Sequence, residues 1–205
     1  MIDALLVALT RGLVGAQPSW TEELQKIDRP CIYFANHTSH LDTLAIWSAF
    51  PHSRRRSVRP VAAADYWKTG GLRSYIADHV LRAIYVDRKR DDLEKDPLAP
   101  IGDALSLGDS IIMFPEGTRG RSRLPGPFKS GLYRLARRHP DVVLVPVYLD
   151  TLHRSLPKGC VLPLPIQCTV NFGKPTSLSS DESKEAFLTR AHAAVVSLAG
   201  TEGWA

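Results

Sequence analysis

The chain has 205 residues, of which 44% are hydrophobic and 23% charged, with a net charge of +5 at pH 7 and 3 cysteines. Such a length is one domain able to bury a substantial core, which excludes dependence on staples, and Cys31, Cys160 and Cys168 are too few and too irregularly spaced for a disulfide framework or a zinc site. The positive charge suits an acidic partner, but no nucleic-acid module and no basic stripe interleaved with aromatics is present, so nucleic acid is set aside and an anionic membrane surface is favoured.

The first segment, Met1 to Ala16, is apolar except for Asp3, Thr10 and Arg11. It falls short of the roughly 20 residues that span a bilayer. Wound as a helix, it gathers those three polar residues on one side and leaves Ile2, Leu5, Leu6, Leu9, Leu13 and Val14 on a broad apolar face. Two readings stand: a membrane-associating helix over 1–16 that lies in the interface before a domain at 17–205, or a helix docked on the core. Asp3 and the lack of lysines ahead of the apolar stretch argue against an export signal.

A buried strand follows at Cys31 to Phe34, where Cys31 reads as an inert core thiol, and it runs straight into Ala35-Asn36-His37-Thr38-Ser39-His40-Leu41-Asp42. His37 is of the type that takes a proton from a hydroxyl near neutral pH, and Asp42 is the carboxylate that would fix its tautomer. On a continuous helix the two would point about 140° apart, so the pair requires a strand, a sharp turn and a helix that opens at Asp42. His40 reads as a turn or surface residue.

Further strands are expected near 59 to 64, 83 to 86, 110 to 114, 142 to 148 and 166 to 172. The helices expected between and after them cover 42 to 50, 65 to 79, about 98 to 107, 128 to 138 and 181 to 199. Arg54, Arg55, Arg56 and Arg59 read as a solvated loop, or as a contact for anionic headgroups or the phosphates of coenzyme A. The proline-rich stretch Leu156 to Pro165 reads as a surface excursion. Strand–helix alternation gives an α/β class: one domain with a mainly parallel mixed sheet flanked by helices.

The strand expected at Ile111 to Phe114 ends in Pro115-Glu116-Gly117-Thr118-Arg119-Gly120. Glycine lets backbone N–H groups approach an oxyanion or phosphate, and the Arg119 fork matches phosphate geometry. Sites in open parallel sheets form at the carboxyl ends of strands, so the two polar turns are expected to face one crevice.

NHTSHLD at 36 to 42 and FPEGTRG at 114 to 120 resemble two motif blocks of the glycerolipid acyltransferases. Ala83-Ile84-Tyr85-Val86-Asp87-Arg88 and Leu144-Val145-Pro146-Val147 match the remaining two, in family order. The resemblance implies transfer of a fatty acyl group from a thioester of coenzyme A or acyl carrier protein to a lysophospholipid hydroxyl, without metal or organic cofactor. It implies His37 as general base and Asp42 as its support, with Arg88, Glu116, Gly117, Thr118 and Arg119 around the acceptor's polar head. A lysophosphatidic acid acceptor, with glycerol 3-phosphate, an ornithine lipid or another lysolipid as the alternative, and a peripheral or monotopic place on the cytoplasmic face of a membrane are what it implies. The long N-terminal spanning helices that many relatives carry have no counterpart here.

Three other readings bear on the same residues. His37, His40 and Asp42 include metal-ligand types, but no further cluster completes a shell of about four. A hydrolase would use His37 to activate water, although there is no Gly-x-Ser-x-Gly turn. A lipid-binding module would leave His37 and Asp42 without a task.

Overall fold

The computed structural model describes residues 2–14, 17–19, 22–68, 70–87, 96–120, 122–150 and 168–200. Arg88 and the proline-rich stretch therefore lie outside the described residues. The elements in chain order are α1 (Ile2–Val14), β1 (Gln17–Ser19), α2 (Glu22–Gln25), β2 (Cys31–Ala35), α3 (Asp42–Ala49), α4 (His52–Arg55), β3 (Val58–Ala63), α5 (Ala64–Trp67), α6 (Gly71–Tyr75) and β4 (Ile84–Val86). After them come α7 (Ala99–Ser106), β5 (Ser110–Met113), α8 (Gly131–Arg138), β6 (Val143–Leu149), β7 (Thr169–Phe172) and α9 (Lys184–Val196).

The seven strands form one sheet in the order β1-β7-β6-β2-β5-β3-β4. Every pairing is parallel except that of β6 with β7. The expected α/β class and mainly parallel mixed sheet are thus what the chain forms. All residues of β2, β5 and β6 are buried, which is why these strands read as continuous apolar runs with helices on both faces. Cys31, Tyr33 and Ala35 face one core with α1 and α3, while Ile32 and Phe34 face the other with α7, α8 and α9.

The helix expected over 65 to 79 is broken. Gly70 and Gly71 have φ of 85° and 71°, left-handed values that glycine adopts without steric penalty and that end a right-handed helix. The chain makes α5, turns through this pair, and resumes as α6, which widens into a π-helical turn at Ile76–Val80. β1, α2 and α4 are short elements with no periodic signal of their own.

The middle of α1 is docked. Val7 is buried in the core shared with α3, and the Arg11 guanidinium donates to the Ser48 carbonyl at 2.8 Å. Leu9 of the same helix is 52% exposed, so α1 carries an inward and an outward apolar side. Among the described residues no helix is long and apolar enough to cross a membrane.

Candidate active site

β2 and β5 are parallel neighbours, with Phe34 in register with Met113, so the turns that follow them emerge side by side. Asn36, fully buried, pins the first turn to the end of β6. Its amide donates to the Leu149 carbonyl at 3.0 Å and accepts from the Leu149 N–H at 2.8 Å.

The turn then folds back on the opening of α3. One oxygen of buried Asp42, Oδ2, accepts from the backbone N–H groups of Thr38 at 2.6 Å and Ser39 at 2.9 Å, and lies 2.7 Å from His37 Nδ1. The carboxylate fixes both the loop and the ring within it. His37 also stacks on Phe114, with centroids 4.1 Å apart and 16° between planes. Among the described residues its Nε2 has no hydrogen-bond partner, and its side chain is 21% exposed, at the cleft. That is the geometry of a base with its rear nitrogen anchored and its front nitrogen available.

The second turn clasps the first. Glu116 is buried; Oε1 accepts from the His37 N–H at 2.8 Å and Oε2 from the Gly126 N–H at 2.9 Å. Gly120 N–H donates to the His37 carbonyl at 2.7 Å. Both carboxylate oxygens of Glu116 are thereby engaged with backbone, so the residue braces His37 from below. Gly117 has φ of 70°, and a Cβ there would sit 2.7 Å from Lys129 Nζ, so the turn admits only glycine without displacing that ammonium.

A cleft of about 450 Å³ opens where the two turns meet. His37, Thr118, Arg119 and Lys129 line its polar part, and Val61, Ile101, Met113, Phe114 and Leu132 its apolar part. Of the expected site residues, His37, Gly117, Thr118 and Arg119 line this cleft, while Asp42 and Glu116 stand behind it. Among the described residues no group of three or more His, Cys, Asp or Glu side chains could hold a metal ion.

His40 is a cleft residue rather than a bystander on the surface. Its ring stacks on Tyr66 of α5 at 5.4 Å, its Nδ1 meets the Tyr66 hydroxyl, and its Nε2 meets Arg119. Burial and the charges of Arg119, Arg73 and His37 lower its pKa below the ordinary 6.5, against an opposing pull from Asp42. Lys129, at the cleft just before α8, was also not singled out by sequence. His40 matters through partners 26 and 79 positions away, and Lys129 packs against the second turn at Pro115 and Gly117, contacts that local pattern does not record.

The run of arginines at 54 to 59 lies at the other end of the sheet, at the start of β3. Arg54 donates to the carbonyls of Leu24 at 2.9 Å, Gln25 at 2.6 Å and Ile27 at 3.1 Å. Arg55 lies over the Trp47 ring, and Arg59 pairs with Asp109 at 3.0 Å. Arg54, Arg55 and Arg59 therefore tie α4 and β3 to their neighbours.

Residues 19–150 match the Acyltransferase family profile. The chain is 26% identical over 141 residues to a chloroplast 1-acyl-sn-glycerol-3-phosphate acyltransferase of Brassica napus, covering 67% of this chain and 38% of that protein. It is 30% identical over 126 residues to the human 1-acyl-sn-glycerol-3-phosphate acyltransferase alpha, covering 60% of this chain and 41% of that one. It thus spans about two-fifths of the length of these relatives. The crystal structure of the 1-acyl-sn-glycerophosphate acyltransferase PlsC from Thermotoga maritima superposes with a TM-score of 0.76 at 19% identity, over 100% of this chain and 81% of that one. At that identity the likeness is one of fold.

Proposed function

Because the chain belongs to the PlsC-type Acyltransferase family, we propose that it moves a fatty acyl group from an acyl thioester to the free hydroxyl of 1-acylglycerol 3-phosphate, giving phosphatidic acid. The observation that carries this reading is His37, whose Nδ1 is held by buried Asp42 while its ring lines a cleft that is polar at one part and apolar at another. A base with no nucleophilic side chain bonded to it suits direct attack by a substrate hydroxyl.

In the reaction, His37 Nε2 takes the proton of the acceptor hydroxyl as that oxygen attacks the thioester carbonyl. Asp42 stabilises the imidazolium that forms. Collapse of the tetrahedral intermediate breaks the carbon–sulfur bond, and the departing thiolate takes the proton back from His37, so no acyl group rests on the enzyme. The developing oxyanion needs preorganised donors. The N–H groups of Thr38 and Ser39 are occupied by Asp42, and that of Gly117 by the Phe114 carbonyl. Those of Thr118 and Arg119 carry no hydrogen bond among the described residues, and they are the donors we assign.

Arg119 meets the acceptor's phosphate, with Arg88 joining it by the family resemblance. Glu116 contributes by holding His37 and Gly126 in place, and Gly117 by letting the turn come close. Val61, Ile101 and Met113 offer apolar surface to an acyl chain. Coenzyme A and acyl carrier protein both present such a thioester, and no metal or organic cofactor enters any step. Exposed Leu9 on α1, with Leu72 and Tyr75 on α6, supports a peripheral position on a membrane surface; the net charge of +5 suits an anionic one, and the family resemblance puts it at the cytoplasmic face.

The test is acyl transfer by the purified protein, offering acyl-CoA and acyl-carrier-protein donors against 1-acylglycerol 3-phosphate, glycerol 3-phosphate and water, beside His37→Ala. Phosphatidic acid should form and fall by about 10²–10⁴ in the variant, the usual contribution of a general base. Thioester loss without an acylated product would replace transfer by hydrolysis.

A further inference from the structure

Arg119 reaches the cleft without a carboxylate partner among the described residues. A long, unpaired guanidinium samples many rotamers, and a side chain that must meet a phosphate in one geometry loses affinity to that freedom. What holds it here is His40. A guanidinium only donates hydrogen bonds, so the imidazole nitrogen that faces Arg119 Nη1, Nε2, is the bare acceptor. The single proton of the neutral ring then lies on Nδ1 and is donated to the Tyr66 hydroxyl oxygen. Tyr66 is itself fixed, with the His40 ring stacked at 5.4 Å, the Arg119 guanidinium 5.5 Å from its centroid and that of Arg73 4.6 Å away.

We propose that His40 is a positioning residue for acceptor recognition: as the neutral Nδ1–H tautomer, fixed by Tyr66, it holds the Arg119 guanidinium in the orientation that receives the acceptor's phosphate. The inference rests on the acyl-transfer reading only for its kinetic readout, since the anion site itself is defined by these side chains. A proton on Nε2 would remove the acceptor and set a cation against Arg119 and Arg73. The groups that face His40 are Arg119 from the second turn, Arg73 from α6, Tyr66 from α5, and His37 and Asp42 from its own segment. Three of them are basic and favour the neutral ring.

The experiment compares wild type, His40→Ala, His40→Gln, Arg119→Ala and the His40→Ala/Arg119→Ala double variant, with unfolding temperatures recorded for each. His40→Ala should raise KM for 1-acylglycerol 3-phosphate about tenfold, the size of one charge-assisted hydrogen bond, and leave kcat and the donor KM within about twofold. Monoacylglycerol, which has a hydroxyl but no phosphate, should show no such change. His40→Gln keeps an acceptor and a donor at the ring's two positions and should restore most of the loss. In the Arg119→Ala background the His40 change should add nothing, since coupled residues are not additive. Equal KM in wild type and His40→Ala, or a full His40 effect without Arg119, overturns the inference.

Calorimetric binding of a short-chain 1-acylglycerol 3-phosphate separates this inference from the reading beneath it. If wild type binds this lipid about tenfold more tightly than His40→Ala but transfers no acyl group, the positioning role stands and the acyl-transfer reading fails.

Discussion

The two ends of the sheet use arginine in opposite ways. At the start of β3, Arg54 makes three bonds to backbone carbonyls, Arg55 lies over Trp47 and Arg59 pairs with Asp109. At the finish of β2 and β5, Arg119, Arg73 and Lys129 have no acid partner among the described residues, and Arg119 and Lys129 line a cleft. Three arginines of the densest basic run are therefore tied into the scaffold, while the sparse cations at the other end are left without an acid, as the proposed anion site requires. Density of charge along the chain does not reveal a binding site, because a cation such as Arg54 or Arg59, whose donors already meet carbonyls or a carboxylate, has little left to offer a ligand.

Arg119→Ala is the sharpest way to break that contrast. Truncating a charged contact to a phosphate costs about 2–3 kcal/mol, so kcat/KM for the phosphorylated acceptor should fall by roughly 30- to 150-fold, with the unfolding temperature unchanged. A loss of stability instead would make Arg119 a scaffold residue like its counterparts. Arg54→Ala should do the reverse. Three carbonyls lose a charged donor, so denaturant unfolding should show about 1–3 kcal/mol less stability, while KM for both substrates stays where it was. A raised acceptor KM in this variant would move the binding surface to the other end of the sheet.

The smallest effect sits with His40. Its folded pKa lies below the ordinary 6.5 because burial and the neighbouring guanidiniums oppose its charge. As pH falls through 6.5 the unfolded chain takes up a proton before the folded one does, so stability is full above that pH and declines below it toward the lower folded value. Unfolding temperatures of wild type and His40→Gln, measured from pH 8 to pH 5, should diverge only on the acid side, with wild type losing more. Parallel curves would mean that His40 titrates alike in both states.

The sheet was largely legible because its central strands are buried on both faces and so appear as unbroken apolar runs, Cys31 to Phe34 and Val143 to Leu149. The turn from β2 into α3 was legible too, since His37 and Asp42, five positions apart, can meet only if the chain turns sharply there. The break in the helix expected over 65 to 79 was written in Gly70-Gly71, but the apolar residues on either side keep a helical rhythm that masks it. Glu116 was the hardest to place. Its type and its turn suggested contact with substrate, yet the two backbone N–H groups it meets include one 79 residues away, and no local pattern shows such a partner.

That clasp also bears on how activity is regained after unfolding. Asp42 orients the His37 ring, but the His37 backbone is held by a carboxylate delivered from a different strand, so the site is complete only when β2 and β5 have found each other. Pairings between distant stretches of chain form late and slowly compared with helices. Recovery of turnover during refolding should lag behind recovery of helical signal, and the interval between them would time the closing of the central sheet.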